Sequence, residues 1–322
     1  MHRVDLQSAL LTRCQELSIP IRLNSRVVSV DFANSIVTLK NDEDVKGDVI
    51  LCSEGLWSNT RSQFLGTPSP PILTGDLAYR IVISRDTLTA LPPSKEIQRL
   101  IDFIDSLSVT FWIGPASHVV AYTMRSGQLF NIVLLCPDNL PPSVSKTSGD
   151  LSEMKALFET WDPILKGFLG QVKEVAKWKL FHLEPLEKWG NEQGNFYIAG
   201  DACHPMLPYL AQGANSSLED GATLGWLLGK VTKPEGEGRE EQLKRVRGVY
   251  EVLRKERGEK IRKETWLQRE EFHLDDGEEQ RARDQRYAEK GSRWTDWEGT
   301  AGWVFGYDAY EEVEKAFEKD PF

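Results

Sequence analysis

The side chains best able to do chemistry are densest between Phe196 and Asn215. Phe196-Tyr197-Ile198-Ala199 reads as a short buried strand that runs directly into Gly200-Asp201-Ala202-Cys203-His204-Pro205. A strand ending in Gly-Asp places the Asp201 carboxylate at the carboxyl edge of a sheet, where open α/β folds bind ligands, as an acceptor for a sugar-like hydroxyl. Ten residues on, Ala211-Gln212-Gly213-Ala214-Asn215 opens a helix. Its first N–H groups carry partial positive charge, and the small side chains admit a flat ligand closely. Together they describe a site for something anionic and planar. Cys203 beside His204 could suggest a nucleophile or a ligand, but no third partner is evident, and turn geometry is the better reading for both.

These residues need a scaffold, and the composition bounds it. The 322 residues allow about two domains with a core that needs no disulfide or metal. A formal charge of −10 disfavours nucleic acid and anionic membrane as partners. The four cysteines, Cys14, Cys52, Cys136 and Cys203, form no C-x-x-C pair, and no H-E-x-x-H occurs, so no metal site is expected and a reducing compartment is. No apolar run is long enough to span a bilayer. The opening Met-His-Arg-Val-Asp-Leu has neither the apolar core of a signal peptide nor the acid-poor character of a transit peptide, which predicts a cytoplasmic protein.

Periodicity then orders the elements. Leu6, Leu10, Cys14 and Leu17 mark one stripe of an opening helix. Alternation from Ile21 through Phe32, the turn Ala33-Asn34-Ser35 and a second run from Ile36 to Lys40 predict a hairpin. Asp48 to Cys52 predicts a buried strand stopping at Ser53-Glu54-Gly55, followed by a helix from Ser58 to Leu65. Pro68 to Pro71 marks a crossing between domains. Beyond it, Leu77–Ser84, Val109–Gly114, Val119–Met124 and Leu129–Cys136 read as an antiparallel sheet, Leu151–Trp161 as a helix, and Gly213–Lys230 as a helix rich in small residues. From Gly236 to Lys290 both charge signs are dense, which predicts a long solvated helix laced with i,i+4 pairs.

The run Gly200-Asp201-Ala202-Cys203-His204-Pro205 to Ala211-Gln212-Gly213-Ala214-Asn215, with Leu218-Glu219-Asp220-Gly221-Ala222 behind it, resembles the second FAD motif of the single-component FAD-dependent aromatic hydroxylases (group A flavoprotein monooxygenases), most closely the salicylate hydroxylase-like group. Three further segments are similar in the same order: His2-Arg3-x-Asp5-Leu6, Glu54-Gly55-x-x-Ser58-x-x-Arg61, and Trp303-Val304-Phe305-Gly306-Tyr307-Asp308-Ala309. The resemblance implies an α/β fold: an incomplete, Rossmann-like FAD-binding domain interleaved with an antiparallel β-sheet substrate domain and a C-terminal helical segment. The implied boundaries are 1–67 and 183–232 for FAD binding, 68–182 for substrate and 233–322 for the helical segment.

It also implies roles. Asp201, next to Gly200, would hold the ribityl chain of FAD, Pro205 would lie against the isoalloxazine ring, and the amides of Gly213, Ala214 and Asn215 would approach its pyrimidine end. Arg3 would reach the FAD sugar or phosphate. Glu54 stands where the family carries Asp, one methylene shorter. On the substrate side, Tyr79, Arg80, Tyr122 and Met124 are candidate pocket lining, with Arg80 able to pair a substrate carboxylate. Tyr209 occupies the place where several relatives carry a His base, and its high ordinary pKa suits it to shaping the pocket instead.

The implied activity is hydroxylation of a salicylate-like aromatic molecule with O2 and NADH or NADPH. A flavin epoxidase or dehydrogenase, or a non-catalytic remnant acting as a binding protein, are the alternatives. No G-x-G-x-x-G occurs anywhere in the chain. The family's ADP-cradling βαβ unit precedes the His-Arg helix, so the chain reads as one cut at an internal methionine, with weak or absent FAD binding expected of it alone.

Overall fold

The computed structural model describes residues 2–233 and 235–322. In chain order the elements begin with α1 (Arg3–Glu16), β1 (Val27–Asp31), β2 (Ile36–Leu39), β3 (Asp44–Lys46), β4 (Ile50–Cys52) and α2 (Asn59–Leu65). Next come β5 (Ile72–Ser84), α3 (Arg85–Thr89), α4 (Lys95–Asp105), β6 (Val109–Gly114), β7 (Ser117–Met124), β8 (Leu129–Pro137) and β9 (Lys146–Ser148). α5 (Leu151–Leu157), α6 (Pro163–Gly170), β10 (Ala176–His182) and β11 (Phe196–Ile198) lead to α7 (Gly213–Leu228). The chain ends with α8 (Glu237–Phe272), α9 (Glu278–Lys290), α10 (Thr300–Phe305) and α11 (Ala309–Lys319). They gather into two compact units, residues 1–23, 73–180 and 272–277 in one, and 24–72, 181–271 and 278–322 in the other.

The first unit is built on a six-stranded sheet in the order β6-β7-β8-β5-β10-β9. Period-2 alternation gives the sheet two different faces. Leu77, Tyr79, Ile81 and Ile83 of β5 and Phe130, Ile132, Leu134 and Cys136 of β8 point into one core with Leu100, Ile104, Leu165 and Phe168 of α4 and α6. α4 is capped by Ser94, whose side chain accepts from Ile97 N–H. The opposite face carries Ala78 and Arg80, in register through Leu135 and Val133 with His118 and Val120. Tyr79 therefore does not line a pocket with Arg80. It is fully buried under the helices, because adjacent strand residues point to opposite faces.

The opening helix forms, but its stripe is not a core: α1 buries no residue, and Leu10 and Leu17 are exposed. It is tied to the unit by the Asp5–Arg125 ion pair. The hairpin forms as β1 with β2, starting at Val27 instead of Ile21, and gains a third strand, β3.

In the second unit β11 pairs in parallel with β4, Tyr197 opposite Leu51. Phe196, Tyr197 and Ile198 are fully buried with Trp189, Leu224, Val246 and Tyr250, which explains the unbroken apolar run of the strand. The turn leading into β11 leaves no room for a side chain at Gly194. Its φ is +73°, and an added Cβ would lie 2.3 Å from the Leu243 carbonyl oxygen. Gly194→Ala is expected to destabilise the chain by about 2–4 kcal/mol, read from a shifted denaturant midpoint.

The long charged segment is two helices, α8 and α9, and α8 is not a solvated rod. Leu243, Val246, Tyr250, Arg254, Arg257, Ile261, Thr265 and Gln268 are all buried on one side of it. Among the described residues no helix is long and apolar enough to cross a membrane, and all four cysteines are free thiols.

Candidate flavin site

Asp201 sits where β11 ends, on the single 3-10 turn Gly200–Ala202. Gly200 takes φ +61°, a left-handed conformation that bends the chain sharply out of the strand. The Asp201 residue is open to solvent, yet protein crowds its carboxyl enough that desolvation raises its pKa, only partly offset by His204. Among the described residues no donor reaches this carboxylate. It is an exposed acceptor at the end of β11 with its lone pairs unspent.

The second half of the site is the start of α7. Gln212 precedes the helix and makes no side-chain cap, so the N–H groups of Gly213, Ala214 and Asn215 have no side chain covering them. Ala214 and Asn215 are exposed, and a Cβ placed on Gly213 would meet nothing within 4 Å. The Asn215 side chain turns away, donating to Gln212 Oε1 and Glu219 Oε1.

Beneath both halves lies a buried ionic network. Asp220 of α7 accepts the Gly200 N–H at 2.8 Å, faces His204 Nε2 at 2.5 Å, and pairs with Arg254 Nε of α8 at 2.8 Å. Arg254 also reaches Glu219 Oε2 at 2.7 Å, and Arg257 grips Glu219 with Nε at 2.8 Å and a second nitrogen at 2.9 Å. Arg257 then donates to the Trp303 and Val304 carbonyls while its guanidinium lies 3.8 Å from the Tyr307 ring centroid. Two carboxylates and two guanidiniums balance, which is what makes burial of four charges tolerable. Burial works to raise the Asp220 pKa, but His204 and Arg254 hold it below the ordinary carboxylate value.

His204 therefore has the partner that its sequence context did not reveal. Reading it as turn geometry missed Asp220, although Leu218-Glu219-Asp220 stood in the quoted motif. The signal available was a pair of acids on a helix otherwise made of small and apolar residues. Cys203, His204 and Asp220 are close enough to suggest a cation site, but the 2.5 Å contact between Nε2 and carboxylate leaves no space for an ion between them. Cys203 Sγ points instead at the Ile198 and Gly200 carbonyls.

Glu54 folds its own loop. Its Oε2 accepts from Ser58 Oγ at 2.7 Å and from Thr60 N–H at 3.0 Å, and these bonds outweigh burial to lower its pKa. Arg61 of the same motif is buried and donates to the Ala202 carbonyl, fastening α2 to the Asp201 turn. Pro205 is buried behind His204, and Tyr209 is 1% exposed with its carbonyl accepting from Gln268. Arg3 and Arg80 belong to the other unit: Arg3 is exposed at the start of α1, and Arg80 Nε donates to Asn131 Oδ1 at 3.1 Å.

A free carboxylate at the end of a strand and an uncapped helix start are groups able to take hydroxyls and negative charge. The FAD binding domain family matches residues 152–265. The chain is 44% identical over 327 residues to the FAD-dependent monooxygenase OpS4 of Beauveria bassiana (strain ARSEF 2860), covering 98% of this chain and 73% of that one. It is 35% identical to the FAD-dependent monooxygenase ntnJ of Nectria sp, covering 88% of this chain and 65% of that one. A salicylate hydroxylase solved as a substrate complex superposes with a TM-score of 0.76 at 23% identity, over 98% of this chain and 75% of its own. The chain belongs to the FAD-dependent monooxygenases of the group A aromatic hydroxylase family, and it spans about two thirds to three quarters of the length of these relatives.

Proposed function

We propose that this chain hydroxylates a small aromatic molecule bearing an acidic group, salicylate-like in character, consuming O2 and NADH or NADPH in the cytoplasm. The observation that carries the reading is the pairing of an unspent Asp201 carboxylate with the uncapped start of α7 in a chain of this family. FAD, when bound, supplies the redox chemistry, and the protein supplies placement and charge. Asp201 would accept from ribityl hydroxyls. The N–H groups of Gly213, Ala214 and Asn215 would face the pyrimidine edge, where a helix start favours negative charge. Pro205 would support the ring, Arg3 would pair with a phosphate or sugar oxygen, and the remaining Glu54 oxygen would serve the pyrophosphate side.

Arg80 is the residue best suited to an acidic substrate. It has no carboxylate partner among the described residues, and its neighbours along and across the strand on that face are Ala78, Val82, Val133 and Val120. Asn131, itself fully buried, accepts from Arg80 Nε, which leaves both terminal nitrogens for a bidentate carboxylate. Tyr209, buried in the other unit, would act on pocket shape.

The test supplies the purified chain with FAD, NADH or NADPH, and a panel of hydroxybenzoates, following O2-dependent cofactor oxidation and product. A hydroxylated aromatic acid supports the reading. An epoxidised or dehydrogenated product, or no turnover with flavin bound, overturns it. Arg80→Met is expected to raise KM for a carboxylated substrate about 10–100-fold with little change in kcat, and to leave an uncharged aromatic nearly unaffected.

A further inference from the structure

Strand β5 is longer than the strand beside it: 13 residues, Ile72–Ser84, against 7 in β10, Ala176–His182. The Thr74 hydroxyl donates to the Leu180 carbonyl, which sets the far end of β10 beside the start of β5. β10 therefore begins short of the last residues of β5, and a groove of about 740 Å³ opens there. Arg80, Ile81, Val82, Ile83 and Ser84 line it in unbroken succession. Successive strand residues point to opposite faces, so a groove that touches all of them follows the edge of the strand. Its other wall is the connection 171–175 leading into β10, with Thr87 and Ser148 beside it.

That edge carries polar backbone. Arg85 N–H donates to the Gln128 carbonyl, and the register with β8 continues without a break through Ser84 opposite Leu129 and Val82 opposite Asn131. Alternate residues of an antiparallel pair turn their backbone groups to the partner strand. Ile81 and Ile83 thus bond to β8, and the N–H and C=O of Val82 and Ser84 face the groove. Arg80 adds a guanidinium whose Nε is held by Asn131 and which has no carboxylate partner among the described residues. Val82, Val172 and Val175 add apolar contact. Lys173 and Glu174, both exposed on the far wall, offset one another, so the positive charge of Arg80 sets the sign of the groove.

Resting on the proposal that Arg80 binds the substrate carboxylate, we infer that the groove holds the remainder of a substrate larger than one ring: an aromatic acid bearing an amide-containing chain, laid along the edge of β5. A volume of about 740 Å³ lies within the roughly 300–1,000 Å³ of sites for drug-sized molecules, and a benzoate ring occupies only a small part of it. A chain amide matches the N–H and C=O of a strand edge in the way an added strand does. The carboxylate answers the guanidinium.

The test uses the full 322-residue chain without flavin, since every residue lining the groove lies in the first unit. Calorimetric titration compares 2-hydroxybenzoate with its 5-hexyl and 5-pentanoylamino derivatives. The pentanoylamino acid is expected to bind at least about tenfold more tightly than the parent, and about 3–10-fold more tightly than the hexyl acid. Thr87→Trp and Ser148→Trp, at exposed positions on the groove, should each bring the extended acid down to the affinity of the parent on the same variant. Equal affinity for parent and extended acids, or a gain that survives both substitutions, overturns the inference. So does an extended peptide without an aromatic acid that binds more tightly than all three, which would make the groove a strand-addition site for a protein. Hydroxylation is read separately with FAD and NADH or NADPH supplied. An extended acid that binds in the groove and is not hydroxylated overturns the hydroxylase reading alone and leaves the ligand class of the groove standing.

Discussion

Asp220→Ala lowers the stability of the chain by about 3–5 kcal/mol, the cost of leaving a buried partner charge uncompensated. Asp220 is fully buried, and its loss strips Arg254 of its Nε partner and the Gly200 N–H and His204 Nε2 of their acceptor at once. Urea unfolding of the purified variant measures the loss. Arg254→Met added to Asp220→Ala recovers part of it, because the pair is removed together and the residual Glu219 charge keeps Arg257. A double variant whose loss equals the sum of the two single losses would show that the pair is not coupled.

The same network sets a direction with pH. The folded Asp220 pKa lies below its ordinary value, so its contribution is complete above the ordinary carboxylate range and disappears as pH falls through the folded value. Wild type therefore loses stability more steeply on acidification than Asp220→Ala does, and parallel pH–stability curves for the two would contradict this.

Asp201→Ala has the opposite profile: stability changes by less than about 0.5 kcal/mol while FAD affinity falls. Among the described residues the side chain has no hydrogen-bond or ion-pair partner, so its removal breaks none of those bonds. A hydrogen bond between a charged carboxylate and ligand hydroxyls is worth about 1.5–3 kcal/mol, which converts to about 10–150-fold in dissociation constant. Flavin fluorescence titration of wild type and variant, alongside their unfolding curves, reads both quantities. Equal affinity in the two proteins would remove Asp201 from the flavin site.

The strand ending in Gly-Asp, the helix opening at Gly213 and the alternating strands from Leu77 to Cys136 are local patterns. Backbone sterics and the period-2 and 3.6-residue repeats write them within a few residues, so they were legible in the amino-acid order alone, as was membership of the flavoprotein family. The face that Arg80 takes was not legible, because alternation says that Tyr79 and Arg80 part company but not which of them enters the core. Helices α4 and α6 settled that by covering the Tyr79 side. Nor could the charges of α8 be told apart in sequence. Arg254 and Arg257 resemble their exposed neighbours until the fold brings them to Asp220 and Glu219, 34 and 38 residues away. His204 finds Asp220 across 16 residues in the same way. Local order determined where the chemistry-bearing groups stand along the chain, and only tertiary packing decided which are paired and buried and which, like Asp201, are left with a hand free for a ligand.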